Sequence, residues 1–244
     1  MSTLIVKFNE LKLFGMREAW SAAVETRVHC TNDEIVNLLV EAEWLHRQQR
    51  VQQRRIVHAK FRYQALIAEL DFSALRNLDK TQLTRLADCS FIERAENIII
   101  TGPTGAGKSY IVSALGHHAC LKGYRVLYAN TNRLLADLKT TKADNSYPRA
   151  VARIAKQQLL ILDDFGLQPL DGEARLILLD LLEDRHGRYA TIVTSQLPVS
   201  TWHEIIGDHT IADAILDRLV HTAHRIDLQG ESMRKKKSLT KKEG

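Results

Sequence analysis

Gly102-Pro103-Thr104-Gly105-Ala106-Gly107-Lys108-Ser109 stands between an apolar run, Ile98-Ile99-Ile100, and a segment that carries Ile111 and Leu115 at helical spacing. The eight residues fit G-x-x-x-x-G-K-[ST], and the flanks supply the strand and helix that such a loop requires. Small residues at 102, 105, 106 and 107 let consecutive backbone N–H groups wrap a polyphosphate, and the dipole of the following helix adds partial positive charge. Lys108 is expected to reach the β- and γ-phosphates and Ser109 to bind Mg²⁺, with Pro103, Thr104 and Tyr110 lining the same site. The competing reading is a glycine-rich turn without a ligand, and the strand and helix on either side argue against it.

Downstream of this loop, apolar runs and helical patterns alternate. Gly123 ends the helix, residues 125–128 read as a strand, and Asn130 or Thr131 caps a helix bearing Leu134, Leu135 and Leu138. A polar loop at 140–150 leads to a short basic helix. Residues 159–162 are continuously apolar, as a strand buried on both faces is, and end in Asp163-Asp164. A helix over 173–185, a strand over 190–193 ending in Thr194-Ser195-Gln196, a helix over 211–220 and a fifth strand over 224–228 complete the pattern. Such alternation predicts an α/β fold with a mostly parallel sheet between helices and a ligand at the carboxyl ends of the strands.

The polar strand tips therefore gather at one site. Asp163 takes the place of the carboxylate that holds Mg²⁺, directly or through water, and Asp164 is the candidate base for attack on the γ-phosphate. Gln196 is placed to orient the attacking water, with Ser195 as a second candidate for that role. Two acids that merely end a strand are the alternative. Asp163-Asp164-Phe165-Gly166 also fits the D-x-x-G of GTPases, and Thr141-Lys142-Ala143-Asp144 their guanine-reading [NT]-K-x-D, but these occur in the wrong order. No H-R-D loop precedes Asp164-Phe165-Gly166, so it is no protein-kinase signature.

The region before the loop reads as helical. Residues 1–29 carry Leu4, Phe8, Leu11, Met16, Trp20 and Val24 near helical spacing, with Gly15 as a joint. Thr31 and Glu34 have the form of a capping box, and the helix they open is expected to run to about residue 70. It would pack through Leu38, Leu45, Gln52, Ile56, Ala59, Tyr63 and Leu66. Between Trp44 and Ala68 stand Arg47, Arg50, Arg54, Arg55, Lys60 and Arg62, and no acid. Arg47, Arg50, Arg54, His58 and Arg62 fall within about 120° on a helical wheel. Without acids to pair along the helix, this stripe, together with Arg55, is expected to contact DNA phosphates rather than only solvent. Asp79 or Thr81 then caps a short helix, and Phe91 and Ile92 lead apolar surface to the first strand. The expected division is a helical domain at 1–70, a linker at 71–97, the nucleotide domain at 98–230 and a basic tail at 231–244.

Composition is compatible with this reading. The 244 residues suffice for one α/β domain plus an appendage, and the net charge of +5 favours a polyanionic partner. No run reaches the ~18 apolar residues of a membrane span and no leader opens the chain, so a cytoplasmic location without membrane is expected. Cys30, Cys89 and Cys120 lack metal or disulfide spacing. His117, His118 and Cys120 cluster, but neighbouring helical positions diverge too far to share one metal.

Taken in order and spacing, GPTGAGKS (102–109), LLILDDFG (159–166), TIVTSQLP (191–198), AILDRLVH (214–221) and GESMRK (230–235) resemble the AAA+ ATPases of the DnaC/IstB group. They are most similar to the IstB-like helper ATPases encoded beside a transposase in bacterial insertion sequences. The resemblance covers about residues 70–240 and, more loosely, the helical region before them, including FIERAEN at 91–97. It implies an AAA+ P-loop domain with a five-stranded mostly parallel sheet, preceded by a small all-helical domain. Gly102, Gly107, Lys108 and Ser109 correspond to Walker A, Asp163 and Asp164 to Walker B, Gln196 to the first sensor, and Arg218 to the arginine finger that reaches a neighbouring subunit's ATP. Residue-level reading alone leaves Arg218 free to pair with Asp217 or Asp213 instead. A finger acting between subunits implies ATP-dependent rings or helical filaments.

The chain departs from the general AAA+ pattern in two places. Asp164 replaces the commoner Glu. Only 26 residues follow Arg218, so the helical lid is expected to be reduced or absent, with Arg234 substituting for its second sensor. The tail, with Arg234, Lys235, Lys236, Lys237, Lys241 and Lys242, is expected to be disordered and to touch DNA. The implied activity is that of a bacterial ATPase that binds ATP and Mg²⁺, assembles on double-stranded DNA and recruits an IstA-like transposase. A DnaC-like helicase loader, a P-loop small-molecule kinase and a nucleotide-gated scaffold that scarcely hydrolyses are the alternatives.

Overall fold

A computed structural model of the chain describes residues 3–26, 31–72, 77–230 and 233. Two compact units emerge, residues 1–54 and 55–244. The segment after residue 54 contributes Ala59, Ala65 and Leu70 to the core of the second unit.

The first unit is built from α1 (Thr3–Glu10), α2 (Phe14–Glu25) and the greater part of α3 (Asn32–Ala59). The capping box at the start of α3 forms as expected. Thr31 N–H donates to Glu34 Oε2 at 2.8 Å, and Glu34 N–H donates to Thr31 Oγ1 at 3.4 Å. Gly15 is not the joint: the chain turns before it, with Lys12 at φ 58°, and Gly15 lies inside α2 where a Cβ would stand 2.4 Å from the carbonyl oxygen of Ala42. The glycine is the point at which α2 and α3 touch backbone to backbone. Glu43 is buried there and accepts N–H bonds from Gly15 at 2.9 Å and Met16 at 3.3 Å, so a carboxylate sits on the positive end of α2. Burial would raise the Glu43 carboxyl, but Arg47 and these two amides outweigh it and hold it below its ordinary value.

Two expectations for α3 need correction. It stops at Ala59 rather than near residue 70, because Lys60 adopts the left-handed conformation at φ 59°. The chain then runs irregularly to a 3₁₀ turn at Ile67–Glu69. Leu38, Leu45 and Leu66 are exposed, while Ile35, Leu39, Ala42 and His46 are the half-buried positions. Over residues 35–46 the packing face lies one residue round the helix from the expected one, whereas Gln52, Ile56, Ala59 and Tyr63 are half-buried or buried as expected.

The second unit is a three-layer α/β/α structure. After α4 (Lys80–Ala87) and α5 (Ser90–Glu93) come β1 (Ile98–Thr101), α6 (Lys108–Leu121), β2 (Val126–Asn130), α7 (Thr131–Ala143), α8 (Tyr147–Ala155), β3 (Leu159–Phe165), α9 (Gly172–Arg185), β4 (Ala190–Ser195), α10 (Trp202–Ile206), α11 (His209–Val220) and β5 (His224–Asp227). The strands form one parallel sheet in the order β2-β3-β4-β1-β5. Alternate residues face opposite layers: Ile98, Ile100, Leu159 and Ile161 pack with α4, α5 and α6, whereas Ile99, Leu160, Leu162 and Val193 pack with α7, α8, α9 and α11. Burial of both faces is why these strands read as unbroken apolar runs.

Side-chain caps fix the helix starts. Asp79, Asn130, Asp171 and Asp208 each accept from a backbone N–H two or three residues on. The sequence did not reveal α10, whose Trp202 is wholly buried against Phe165 with ring centroids 4.6 Å apart. Arg185 is buried at the foot of the sheet and donates to Thr191 Oγ1 and to the carbonyls of Gln157 and Ala190, tying α9 to β4.

Candidate nucleotide site

Between β1 and α6 the loop takes the backbone shape that its glycines allow. Gly102, Gly105 and Gly107 have φ of 141°, 82° and 95°, a region that disfavours side chains. A Cβ on Gly102 would also stand 2.4 Å from the carbonyl oxygen of Leu228. Lys108, only 5% exposed, curls back and donates from Nζ to the carbonyls of Gly102 at 2.6 Å and Pro103 at 2.9 Å. Burial lowers its pKa, opposed by Asp164 and Asp163. An ammonium so desolvated, beside a loop of N–H groups, is prepared for an anion.

The acidic side of the cleft comes from the tip of β3. Asp163 has no solvent exposure and sits at the centre of a hydrogen-bond net. Ser109 Oγ donates to its Oδ1 at 3.1 Å, and the hydroxyls of Thr194 and Tyr128 donate to its Oδ1 and Oδ2. Burial and the contact with Asp163 push the Tyr128 hydroxyl far above its ordinary pKa, which keeps it a donor. The pairing of β3 with β4 shifts register between Leu162 and Phe165, and Asp164 adopts φ 59°. This irregularity lets two consecutive carboxylates address one cleft, where a regular strand would turn one away. Ser109 and Asp163 offer hard oxygens at the loop, which suits Mg²⁺ completed by phosphate and water. Among the described residues no cluster of three or more His, Cys, Asp or Glu offers a metal cage.

β4 lies between β1 and β3, so Gln196 does project beside the loop: its Oε1 accepts from Thr104 Oγ1 at 2.6 Å. Ser195 does not share the role, since its buried hydroxyl donates to Phe165 O at 2.9 Å and accepts from Leu197 N–H. Arg62, Tyr63, Leu70, Thr104, Lys108, Ser109, Tyr110, Asp164, Gln196 and Met233 are among the residues that enclose a cleft of about 400 Å³. That volume suits a nucleotide-sized ligand. Tyr110 donates from its hydroxyl to Glu69 at 2.6 Å, and its ring lies 6.0 Å from that of Tyr63. Met233 N–H donates to Gly105 O at 2.9 Å. Arg234 and the rest of the basic tail lie outside the described residues, as does half of the segment on which the lid expectation rests.

Arg218 is not in this cleft. It stands near the end of α11, bonded from Nε to Glu183 on α9 and from Nη1 to Ala214 O at 2.7 Å, and its own carbonyl accepts from Asn97 just before β1. Neither Asp213 nor Asp217 is the partner found. The position is at the amino ends of the strands, away from the loop of the same chain.

The expected basic stripe divides. Arg47, Arg50, Arg54 and His58 are exposed along α3. Arg47 nonetheless bonds Glu43 at 2.7 Å, and Arg50 lies 5.8 Å from the Phe14 ring centre. Arg55 is half-buried beside Gly123 at the end of α6. Arg62 leaves the stripe altogether, because the helix has ended, and its Nη1 lies 3.1 Å from Asp164 Oδ2 and 3.7 Å from Asp163 Oδ2.

The profile of the "IstB-like ATP binding protein" family matches residues 6–241. This chain belongs to that family. It is 47% identical over 94% of both chains to a protein of Sinorhizobium fredii described as an insertion sequence ATP-binding protein. It is 34% identical to the insertion sequence IS21 ATP-binding protein of Pseudomonas aeruginosa, over 83% of this chain and 77% of that one. Among solved structures it resembles DnaI (TM-score 0.59, 19% identity, 72% of this chain and 94% of that one) and the DnaC helicase loader (0.58, 16%, 72% and 99%). It also resembles AMPPCP-bound DnaA from Aquifex aeolicus (0.59, 14%, 76% and 57%), a likeness of fold. The chain thus belongs to a family of ATP-binding proteins whose relatives are those of insertion sequences, and no helix among its described residues is long and apolar enough to cross a membrane.

Sequence reasoning missed Tyr128, Thr194 and Arg62 as parts of the site. Thr194 stood at a strand tip and was readable from the rule that such tips converge, whereas Tyr128 lies in the middle of β2. No sequence signal marked the third.

Proposed function

We propose that this protein hydrolyses ATP, assembles on duplex DNA when ATP is bound, and delivers that DNA to a transposase. The observation that carries the reading is the buried Asp163, held by Ser109, Thr194 and Tyr128 beside the desolvated Lys108. The loop amides and Lys108 would bind the β- and γ-phosphates, and Ser109 with Asp163 would hold Mg²⁺, which supplies charge neutralisation on the phosphates. Asp164 would accept the proton of the attacking water and Gln196 would orient it. Arg218 of the next subunit would meet the charge that develops on the γ-phosphate. The exposed cations of α3 would bind DNA phosphates without reading sequence, and the insertion-sequence relatives support a transposase as the downstream partner.

Steady-state hydrolysis of ATP with and without duplex DNA tests this. The wild type should turn over faster with DNA, and Lys108→Ala should show neither basal nor stimulated turnover. Turnover equal in both conditions, or equal in the variant, would refute it.

A further inference from the structure

The family reading gives Arg62 no part in nucleotide chemistry, yet the fold brings it to the Walker B acids. Its Nη1 is within hydrogen-bond distance of Asp164 Oδ2 and 3.7 Å from the buried Asp163. Tyr128, which donates to Asp163, is also among the groups whose charge acts on Arg62. The side chain is 42% exposed and lines the same cleft as Lys108, Ser109 and Thr104. Its backbone is fixed by neighbours on both sides: Ala59 and Ala65 are fully buried, and Phe61 packs into the core with its ring 6.4 Å from that of Tyr128. A cation on an anchored segment thus rests on two acids, with room to move.

Resting on the reading of 102–109 as a triphosphate site, we propose that Arg62 is a specificity-determining residue that distinguishes ATP from ADP. Without nucleotide it neutralises Asp164 and Asp163, two carboxylates that would otherwise repel each other. Ser109 and Asp163 would hold Mg²⁺ with a triphosphate, and the added positive charge would loosen the hold of Asp163 on the guanidinium now 3.7 Å from it. Arg62 would then be free to take a terminal phosphate, which guanidinium binds through paired N–H donors. ADP lacks that phosphate, and with ADP the pairing with Asp164 remains. Because residues 60–62 directly follow α3, the state of the nucleotide is read at the end of the helix that carries the exposed cations.

The test is equilibrium binding of a fluorescent non-hydrolysable ATP analogue and of fluorescent ADP, in Mg²⁺, to wild type, Arg62→Ala and Arg62→Lys. Arg62→Ala should weaken the triphosphate about tenfold, the size of one charge-assisted hydrogen bond, and change ADP affinity less than about threefold. Arg62→Lys should recover part of that affinity. Equal weakening for both nucleotides, or none, would overturn the proposal. So would an unchanged nucleotide ratio with a flattened salt dependence of duplex binding, which returns Arg62 to the DNA stripe. Should Arg62→Ala misfold by circular dichroism, Arg62→Lys and Arg62→Gln carry the same comparison. If the wild type binds neither nucleotide, the triphosphate reading itself fails; if it binds both and only the ratio is unmoved, Arg62 alone is misassigned.

Discussion

At the scale of single residues, what decides function is where charge is left without water. Lys108 and Asp163 are both buried, and each is tolerable only because of hydrogen bonds that a nucleotide would rearrange. Arg218 differs, since it is satisfied within its own chain by Glu183 and the carbonyl of Ala214. Arg218→Ala should therefore leave ATP affinity within about threefold while lowering turnover at least ~10²-fold, an effect typical of removing a transition-state donor; equal reductions in binding and turnover would show a role inside its own subunit. Gly102→Ala should abolish ATP binding, because the side chain demands both an unfavourable φ and the space of the Leu228 carbonyl; calorimetric titration with ATP checks this, and near-native affinity would contradict it. Burial pushes the Cys120 thiol up to about 12. In a Cys30→Ser background that thiol should resist alkylation at pH 8 in the native state and react on unfolding.

Elements were legible in the sequence where two independent signals agreed. Apolar runs ending in polar residues located β1 to β4 and a short alternating stretch located β5, and the rule that strand tips converge pointed to Asp163, Asp164 and Gln196 as neighbours. The capping pair Thr31 and Glu34 fixed the start of α3. Its end was hidden, because Lys60 takes a left-handed conformation without the glycine that usually announces one. That misreading placed Arg62 on the same helical stripe as Arg54 and His58, whereas the chain has left the helix by then. In the amino-terminal half of α3 the helical face was misread by one position because Leu38 and Leu45 are larger than Ala42, the residue that Gly15 admits to the interface. Gly15→Ala should accordingly destabilise the amino-terminal unit by roughly 1–3 kcal/mol, as overpacking does, measured by chemical denaturation; an unchanged midpoint would contradict the close approach of α2 and α3. Glu43 has a folded pKa below its ordinary value of 4.5, so its contribution is present above that pH and vanishes as pH falls through the folded value. Glu43→Gln should thus melt earlier than wild type at neutral pH, with the gap closing in acid.

Over the whole molecule, the candidate nucleotide cleft and the α11 arginine lie at opposite ends of one sheet, so under the proposed function a head-to-tail assembly would join them. The exposed cations of α3 would then repeat along such an assembly and track a duplex. Charge reversal at Arg50 and Arg54 should reduce the slope of log affinity against log salt by about two, near one unit for each phosphate no longer neutralised; an unchanged slope would remove α3 from the DNA interface. The central claim, that a triphosphate held at residues 102–109 joins copies of this chain on DNA, is tested most directly by sedimentation velocity on duplex DNA with and without ATP and Mg²⁺. The account predicts large DNA-bound assemblies only with ATP, absent for Lys108→Ala, and identical sedimentation in both conditions would contradict it.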